Sequence, residues 1–322
     1  MSGFRLKIKG QHVDTAKPIK FTFDGKEYQG YQGDTLASAM LANGEMLLAR
    51  SFKYHRPRGL YSAGPEEPNA LVSVRNDGRL EPNCTATTVE IYEGLEAHSQ
   101  NAWPSLAFDI MAINQLFSPL LVAGFYYKTF MGTGQKFWHF CEHFIRRAAG
   151  MGKAGLIADP DRYEKSNIFT DVLIIGGGPA GLNKAKEMAT SGKKITLVDE
   201  NNNFGGSIAE APGTIDGKLP SEWLADTLNS LANCQNINLL SRTTVYGYFD
   251  DNTLGAIERV ADHKAVPESH EPRQRHLKIF ANQVIIATGS IERPLVFDGN
   301  DTPGIMLANA ALRYANRYGV AV

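Results

Sequence analysis

The sequence predicts an α+β module followed by an α/β domain on a parallel sheet. Two observations predict it. The first hundred residues read as short strands around one helix, and from Ile168 the pattern becomes strand, glycine turn, helix, strand. With 322 residues, 43% of them hydrophobic and 21% charged, the chain has apolar mass for about two domains. A net charge of −1 supplies no overall field for nucleic acid or an anionic membrane. Cys84, Cys141 and Cys234 are too few and too scattered for a disulfide framework, which points to a reducing compartment. Residues 1–14 lack the apolar run of a secretory signal, so the expected location is the cytoplasm. Asp109, Asn114, Gln115, Ser118, Pro119 and Lys128 interrupt the apolar stretch 102–134, so no membrane span is expected there. That stretch reads as buried or subunit-contacting helices. No internal repeat or low-complexity tract is visible.

Taken in order, residues 19–23 alternate as a strand, Asp24-Gly25 suits a type I′ turn, and 27–31 return as its partner. Gly33-Asp34-Thr35 can cap a helix carrying Leu36, Ala39 and Met40 on one face, and Asn43-Gly44 stops it. Further strands are expected at 71–74 and 88–92. A hairpin, a helix over it and more strands is a β-grasp order, assigned to 1–100. Residues 101–167 read as an aromatic-rich helical connector, and 168–322 as the α/β domain.

The strongest chemical signal opens that domain. Val172, Leu173, Ile174 and Ile175 form a buried strand that runs into Gly176-x-Gly178-x-x-Gly181. Gly176 permits the tight turn, Gly178 lets a pyrophosphate approach the backbone, and Gly181 lets helix and strand pack closely. The helix N-terminus then offers free N–H groups and a positive dipole to phosphates. Leu182, Ala185 and Ala189 give the helix its buried face, Gly192 ends it, and 194–198 form the next strand. That strand finishes in Asp199-Glu200, where an acid can hold ribose hydroxyls and favours NAD or FAD over NADP. The fingerprint alone does not separate NAD from FAD.

A second strand, 283–286, ends in Ala287-Thr288-Gly289. Before it come short strands around 243–248, 254–260 and 277–280, with no clear crossover helix after Glu200. This meander followed by Ala-Thr-Gly resembles the two-domain flavoproteins of the glutathione reductase type.

Several stretches together resemble one family, the alpha subunit of heterotetrameric sarcosine oxidase, with the large subunits of opine oxidases and hydrogen cyanide synthase among its relatives. They are Gly33-Asp34-Thr35-Leu36-Ala37-Ser38-Ala39, Ser51-Phe52-Lys53-Tyr54-His55-Arg56-Pro57-Arg58-Gly59 and Gly64-Pro65-Glu66-Glu67-Pro68-Asn69-Ala70-Leu71. Further on come 123–130, 145–150, 301–308 and 316–320. The resemblance implies a [2Fe–2S] ferredoxin-like first module without a cluster. The ligand-like positions hold Ser62, Glu67 and Ala70, and Cys84 alone cannot supply four thiolates.

The resemblance also implies NAD in the first dinucleotide fold. Gly176, Gly178, Ala180 and Gly181 would surround the pyrophosphate, with Asp199, Glu200 and Asn201 at the adenosine ribose. Gly206 and Ser207 would follow on the next loop, and the Val245 backbone would lie near the adenine. Asn183-Lys184 departs from the small residues usual there and is expected to loosen the phosphate helix slightly. The implied reaction is oxidative demethylation of sarcosine to glycine with O2 and tetrahydrofolate, giving peroxide and methylenetetrahydrofolate. It would use FAD held by the beta subunit, with FMN at the alpha–beta interface, in a complex with gamma and delta subunits and a C-terminal folate domain. No catalytic residue is expected in this chain. Because it stops at Val322, within a longer family pattern, it reads as an N-terminal fragment or a split gene product with an incomplete second domain.

Other constellations are weaker. His139-Phe140-Cys141-Glu142-His143 matches H-x-x-E-H, but no third ligand is identifiable and aromatic residues surround it, so no metal is expected. Lys53, Arg56 and Arg58 mixed with Tyr54 and His55 suit a subunit contact or an anion clamp better than nucleic acid. Residues 268–276 read as a polar hairpin tip. A non-catalytic assembly scaffold is the reading from another class.

Overall fold

The computed structural model describes residues 3–7, 10, 12–124, 134–211 and 213–322. They form two units, Met1–Asp159 with Glu292–Val322, and Pro160–Ile291.

In the first unit, β1 (Asp14–Phe23) and β2 (Lys26–Gln32) pair as an antiparallel hairpin. Asp24 and Gly25 take φ of 48° and 78°, the left-handed pair that a type I′ turn requires. Helix α1 (Leu36–Ala42) begins with a reciprocal cap. The Thr35 hydroxyl accepts from the Ser38 amide at 3.2 Å, and Ser38 Oγ accepts from the Thr35 amide at 3.0 Å. All seven helix residues are buried. After the short pair β3 (Ala49–Arg50) and β4 (Pro57–Arg58) come β5 (Leu71–Val74), β6 (Glu81–Thr85) and β7 (Leu95–Ser99). The five-stranded sheet runs β2-β1-β7-β5-β6, with β1 and β7 parallel. Phe21, Leu36, Met40, Val72 and Leu95 fill the core between helix and sheet.

The strand expected at 88–92 does not join this sheet. Only a single bridge, Thr35 to Glu90, forms there. The segment instead closes over the start of α1. The Leu36 amide donates to the Val89 carbonyl at 2.8 Å, and the Ile91 amide to the Asp34 carbonyl at 3.1 Å. Among the described residues of the connector, 3-10 turns cover Ile110–Phe117 and an α-helix, α2, covers Gln135–Ala148. Residues 125–130 of the aromatic family-like stretch lie outside the described residues.

Residues 292–322, grouped by sequence with the second domain, belong in space to the first unit. The Leu6 amide donates to the Gly319 carbonyl at 2.8 Å and the Ala321 amide to the Phe4 carbonyl at 2.7 Å. Tyr314 and Val320 enter the first core. His12, whose amide donates to the Arg317 carbonyl, is part of the same junction. Burial, helped by the Arg317 charge, lowers its imidazole from 6.5 to about 4. The unfolded chain therefore takes up this proton first. The stability is present above pH 6.5 and is lost as pH falls toward 4. The loss expected is about 2–3 kcal/mol, since each pH unit is worth roughly 1.4. Urea unfolding across that window should show the decline, and His12→Gln should flatten it. An unchanged slope would reject the assignment to His12.

In the second unit, β8 (Tyr163–Ile175), α3 (Pro179–Met188) and β9 (Ile195–Val198) follow the predicted order. Next come α4 (Pro220–Ala232), β10 (Ile237–Leu240), β11 (Thr243–Phe249), β12 (Thr253–Glu258) and β13 (Gln274–Ile286). The sheet order is β10-β9-β8-β13-β12-β11. Its first four strands are parallel and the last two antiparallel. Val172 and Ile174 pack with Leu182, Ala185, Leu197 and Trp223 on one face. Leu173 packs with Leu254, Ala256 and Ile279 on the other.

Three sequence expectations change here. A crossover helix does exist, α4, which starts at Pro220 and buries Trp223, Thr227 and Leu231 at i, i+4, i+8 spacing. The strands expected at 277–280 and 283–286 are one strand, because β13 pairs continuously with β8 while its first half also pairs with β12. The polar tip stops at Arg273, which is buried. Its guanidinium meets Asp161 at 2.7 Å and donates to the carbonyls of Ala261 and Lys264.

Candidate functional site

The fingerprint turn sits at the end of β8, and each glycine has its own steric reason. Gly176 has φ 104°, and a Cβ there would lie 2.3 Å from the Ala287 carbonyl oxygen. A Cβ on Gly181 would lie 1.9 Å from the Gly176 oxygen, which is the close helix–strand approach that the motif predicts. Gly178 differs. It is the N-cap of α3, its φ is −77°, and a Cβ would meet only the Gly206 Cα, at 3.8 Å.

Gly177, which the motif leaves as x, is the hub. Its amide donates to Asp199 Oδ2 at 2.7 Å, and its carbonyl accepts from the Gly205 amide at 2.8 Å. One residue thus draws the β9 end and the 205–207 loop to the head of α3. The other Asp199 oxygen accepts from the amide and side chain of Asn201 at 2.8 and 2.9 Å. The Asp199 carboxylate is therefore turned into the chain. The Glu200 carbonyl accepts from Arg259 at 2.6 Å, and the amides of Arg242 and Thr243 donate to the carbonyls of Asn201 and Asp199, both at 2.8 Å. These bonds join the β9 end to β11, where Val245 pairs with Ala256 beside a bulge. Ala180 and Ser207 are not fully covered, and Gly206 faces Gly178. Asn183 is exposed and Lys184 half-buried. Both pair with Glu187, which leaves Leu182 and Ala185 fully buried on the helix's inner face. The departure does not loosen that face.

Elsewhere, Arg56 and Arg58 pair with Asp301 within the first unit, so part of the basic stretch is occupied by the chain itself. In α2, Glu142 binds Arg146 and His139. Among the described residues, no three or more His, Cys, Asp or Glu gather where they could hold a metal. None of their helices is long and apolar enough to cross a membrane.

Residues 170–317 match the family pyridine nucleotide-disulphide oxidoreductase, and 16–102 match the 2Fe-2S iron-sulfur cluster binding domain. The alpha subunit of sarcosine oxidase from Rhizobium meliloti (strain 1021) is 54% identical over 321 residues, which cover 100% of this chain and 32% of that protein. Over its full length, the chain is a homologue of the sarcosine oxidase alpha subunit. The alpha subunit of the Corynebacterium sp. (strain P-1) sarcosine oxidase is 37% identical, covering 96% of this chain and 27% of that one. The chain thus spans about a third of the length of these alpha-subunit relatives. An opine oxidase subunit of Agrobacterium tumefaciens (strain Ach5) matches 44% of the chain at 33% identity, covering 28% of that protein. The crystal structure of L-proline dehydrogenase from P. horikoshii shares the fold, with a TM-score of 0.62 at 20% identity, covering 100% of this chain and 50% of that one.

Proposed function

We propose that the second unit is the nucleotide-holding part of an oxidoreductase subunit of the sarcosine oxidase alpha type, and that its nucleotide is NAD. The observation that carries this reading is the side-chain-free head of α3, where Gly178 and Gly206 lie against each other and a Cβ on Gly178 would meet nothing closer than the Gly206 Cα, at 3.8 Å. The first-turn amides of Ala180 and Gly181 have no helical acceptor and would donate to pyrophosphate oxygens, aided by the helix dipole. Gly206 and Ser207 would close the other side. Glu200 would accept from the adenosine ribose hydroxyls, where a 2′-phosphate would meet its charge. Asp199 and Asn201 support that contact from behind, through Gly177. The Val245 backbone would border the adenine. When bound, a nicotinamide dinucleotide supplies two-electron redox chemistry.

The reaction itself is assigned to the assembled complex. Sarcosine is demethylated there to glycine, with O2 and tetrahydrofolate yielding peroxide and methylenetetrahydrofolate. FAD and FMN and the beta, gamma and delta subunits carry those steps, and this chain contributes no catalytic residue. A role in an opine oxidase is the second reading, favoured by the match to the Agrobacterium tumefaciens protein. It keeps the nucleotide site and changes only the amine. The two amines, tested on the assembled complex, separate the readings.

The first module does not fit a [2Fe–2S] cluster. Its ligand-like positions hold Ser62, Glu67, Ala70 and Cys84, one thiol where four are needed. No electron path is therefore drawn through it.

Calorimetric titration of the chain with NAD, NADP and FAD tests the nucleotide assignment. NAD is expected to bind. Glu200→Ala should weaken it by about 1.5–3 kcal/mol, roughly tenfold or more. Preference for NADP, or FAD held at this fold, would reject the assignment.

A further inference from the structure

The loop from 61 to 70 has the spacing of a C-x4-C-x2-C ligand run at 62, 67 and 70. In this chain its amides converge on one side chain instead. Glu67 Oε2 accepts from the amides of Ser62 and Tyr61 at 2.6 and 2.7 Å, and Oε1 accepts from the Asn69 amide at 2.8 Å. Glu67 and Ser62 are buried, and Ala70 is fully so. Amide dipoles aimed at one point favour an anion there, and a carboxylate with three N–H donors satisfies them. The carbonyls of two of these residues then face the other way. Tyr61 accepts from the Leu307 amide at 2.9 Å, and Ser62 from the Tyr314 hydroxyl at 3.0 Å. Glu66 adds an ion pair to Arg313 at 3.8 Å. Tyr314 is almost wholly buried, so the contact belongs to the core of the first unit.

We infer that Glu67 is the internal anion that stands where a cluster would organise this loop, and that it makes the loop the seat of the 307–318 helical segment. The inference rests on reading the module as cluster-less. A carboxylate supplies the negative charge that the loop amides require but no electron to pass on. The loop then holds helix Ala308–Arg313 and the turn after it, through Tyr61 and Ser62, rather than serving transfer. Burial is the larger influence on the Glu67 acid and raises it above the usual range, against the pull of its three amide donors.

The experiment uses the whole 322-residue chain. In the wild type, the amide protons of Tyr61, Ser62 and Asn69 should titrate together by NMR, with one midpoint above the ordinary glutamate range. Glu67→Gln keeps one oxygen acceptor and should speed hydrogen exchange at these amides and at Leu307 by roughly tenfold. Glu67→Ala should speed it further and open 307–318 to proteolysis, while β8 and β13 of the other unit keep wild-type exchange. Exchange within twofold of wild type in both variants, or three amides that do not share a midpoint, would overturn the role of Glu67 and leave the cluster-less reading standing. Stoichiometric iron and acid-labile sulfide in anaerobically purified wild type would overturn the cluster-less reading and this inference with it.

Discussion

Gly181→Ala is expected to destabilise the second unit by about 3–5 kcal/mol, whereas Gly178→Ala should change its stability by no more than about 1. Both residues belong to one fingerprint, yet their surroundings differ. A methyl at 181 would overlap the Gly176 carbonyl, at 1.9 Å from the oxygen and 3.0 Å from the carbon. That carbonyl is backbone, in a turn whose own Gly176 is pinned against Ala287, so it cannot rotate away as a side chain would. A methyl at 178 meets ordinary contact distance and an unstrained φ. On the proposed nucleotide reading, it would crowd the place of the pyrophosphate. Nucleotide affinity should fall at least roughly a hundredfold, about 2.7 kcal/mol, with Gly178→Val abolishing retention. Urea unfolding and calorimetric titration on the two alanine variants separate the roles. Equal destabilisation by both, or full binding by Gly178→Ala, would reject the division.

The parts of this protein that the sequence made legible are those whose causes are local. The Asp24-Gly25 turn and the Thr35 cap depend on residues a few positions apart, and each forms where expected. What escaped depends on distant partners. Gly177 and Asp199 are 22 residues apart, and only the fold reveals that the carboxylate serves the Gly177 amide. Residues 277–280 and 283–286 read as separate strands because their continuity comes from pairing with β8 over a hundred positions earlier. Arg273 looks in the sequence like one more polar residue of a hairpin tip, whereas Asp161 and three carbonyls enclose it in the fold. In the sequence Glu67 marks only a missing ligand, since nothing in its neighbourhood announces three converging amides. Helix α4 is a different case. Pro220, Trp223, Thr227 and Leu231 carried its signal, which the strand-rich surroundings obscured.

Asp109→Ala is expected to destabilise the first unit by about 3–5 kcal/mol, the loss expected when a buried hydrogen-bonded network loses its central acceptor. His55 Nδ1 lies 2.6 Å from Asp109 Oδ2, and Nε2 lies 2.9 Å from the Ala148 carbonyl oxygen at the end of α2. Both side chains are almost wholly buried. Asp109 and the Ala148 carbonyl thus hold the two ring nitrogens from opposite sides. The other Asp109 oxygen accepts from the amides of Met111 and Trp103 at 3.0 and 3.2 Å. Arg50 holds the same region, donating to the His55 and Leu106 carbonyls at 3.1 and 2.9 Å. Removing the carboxylate strands the ring and two amides at once, in the joint that ties the 51–58 hairpin to the 101–111 turn and to α2. His55 itself is the poorer site for this test, because its φ of 52° makes any substitution there change backbone strain as well. Asp109→Asn keeps an oxygen for the amides and should recover about half of the loss. Urea unfolding at neutral pH measures both variants. A decrease under about 1 kcal/mol for Asp109→Ala would mean that the pair contributes little more than an exposed one.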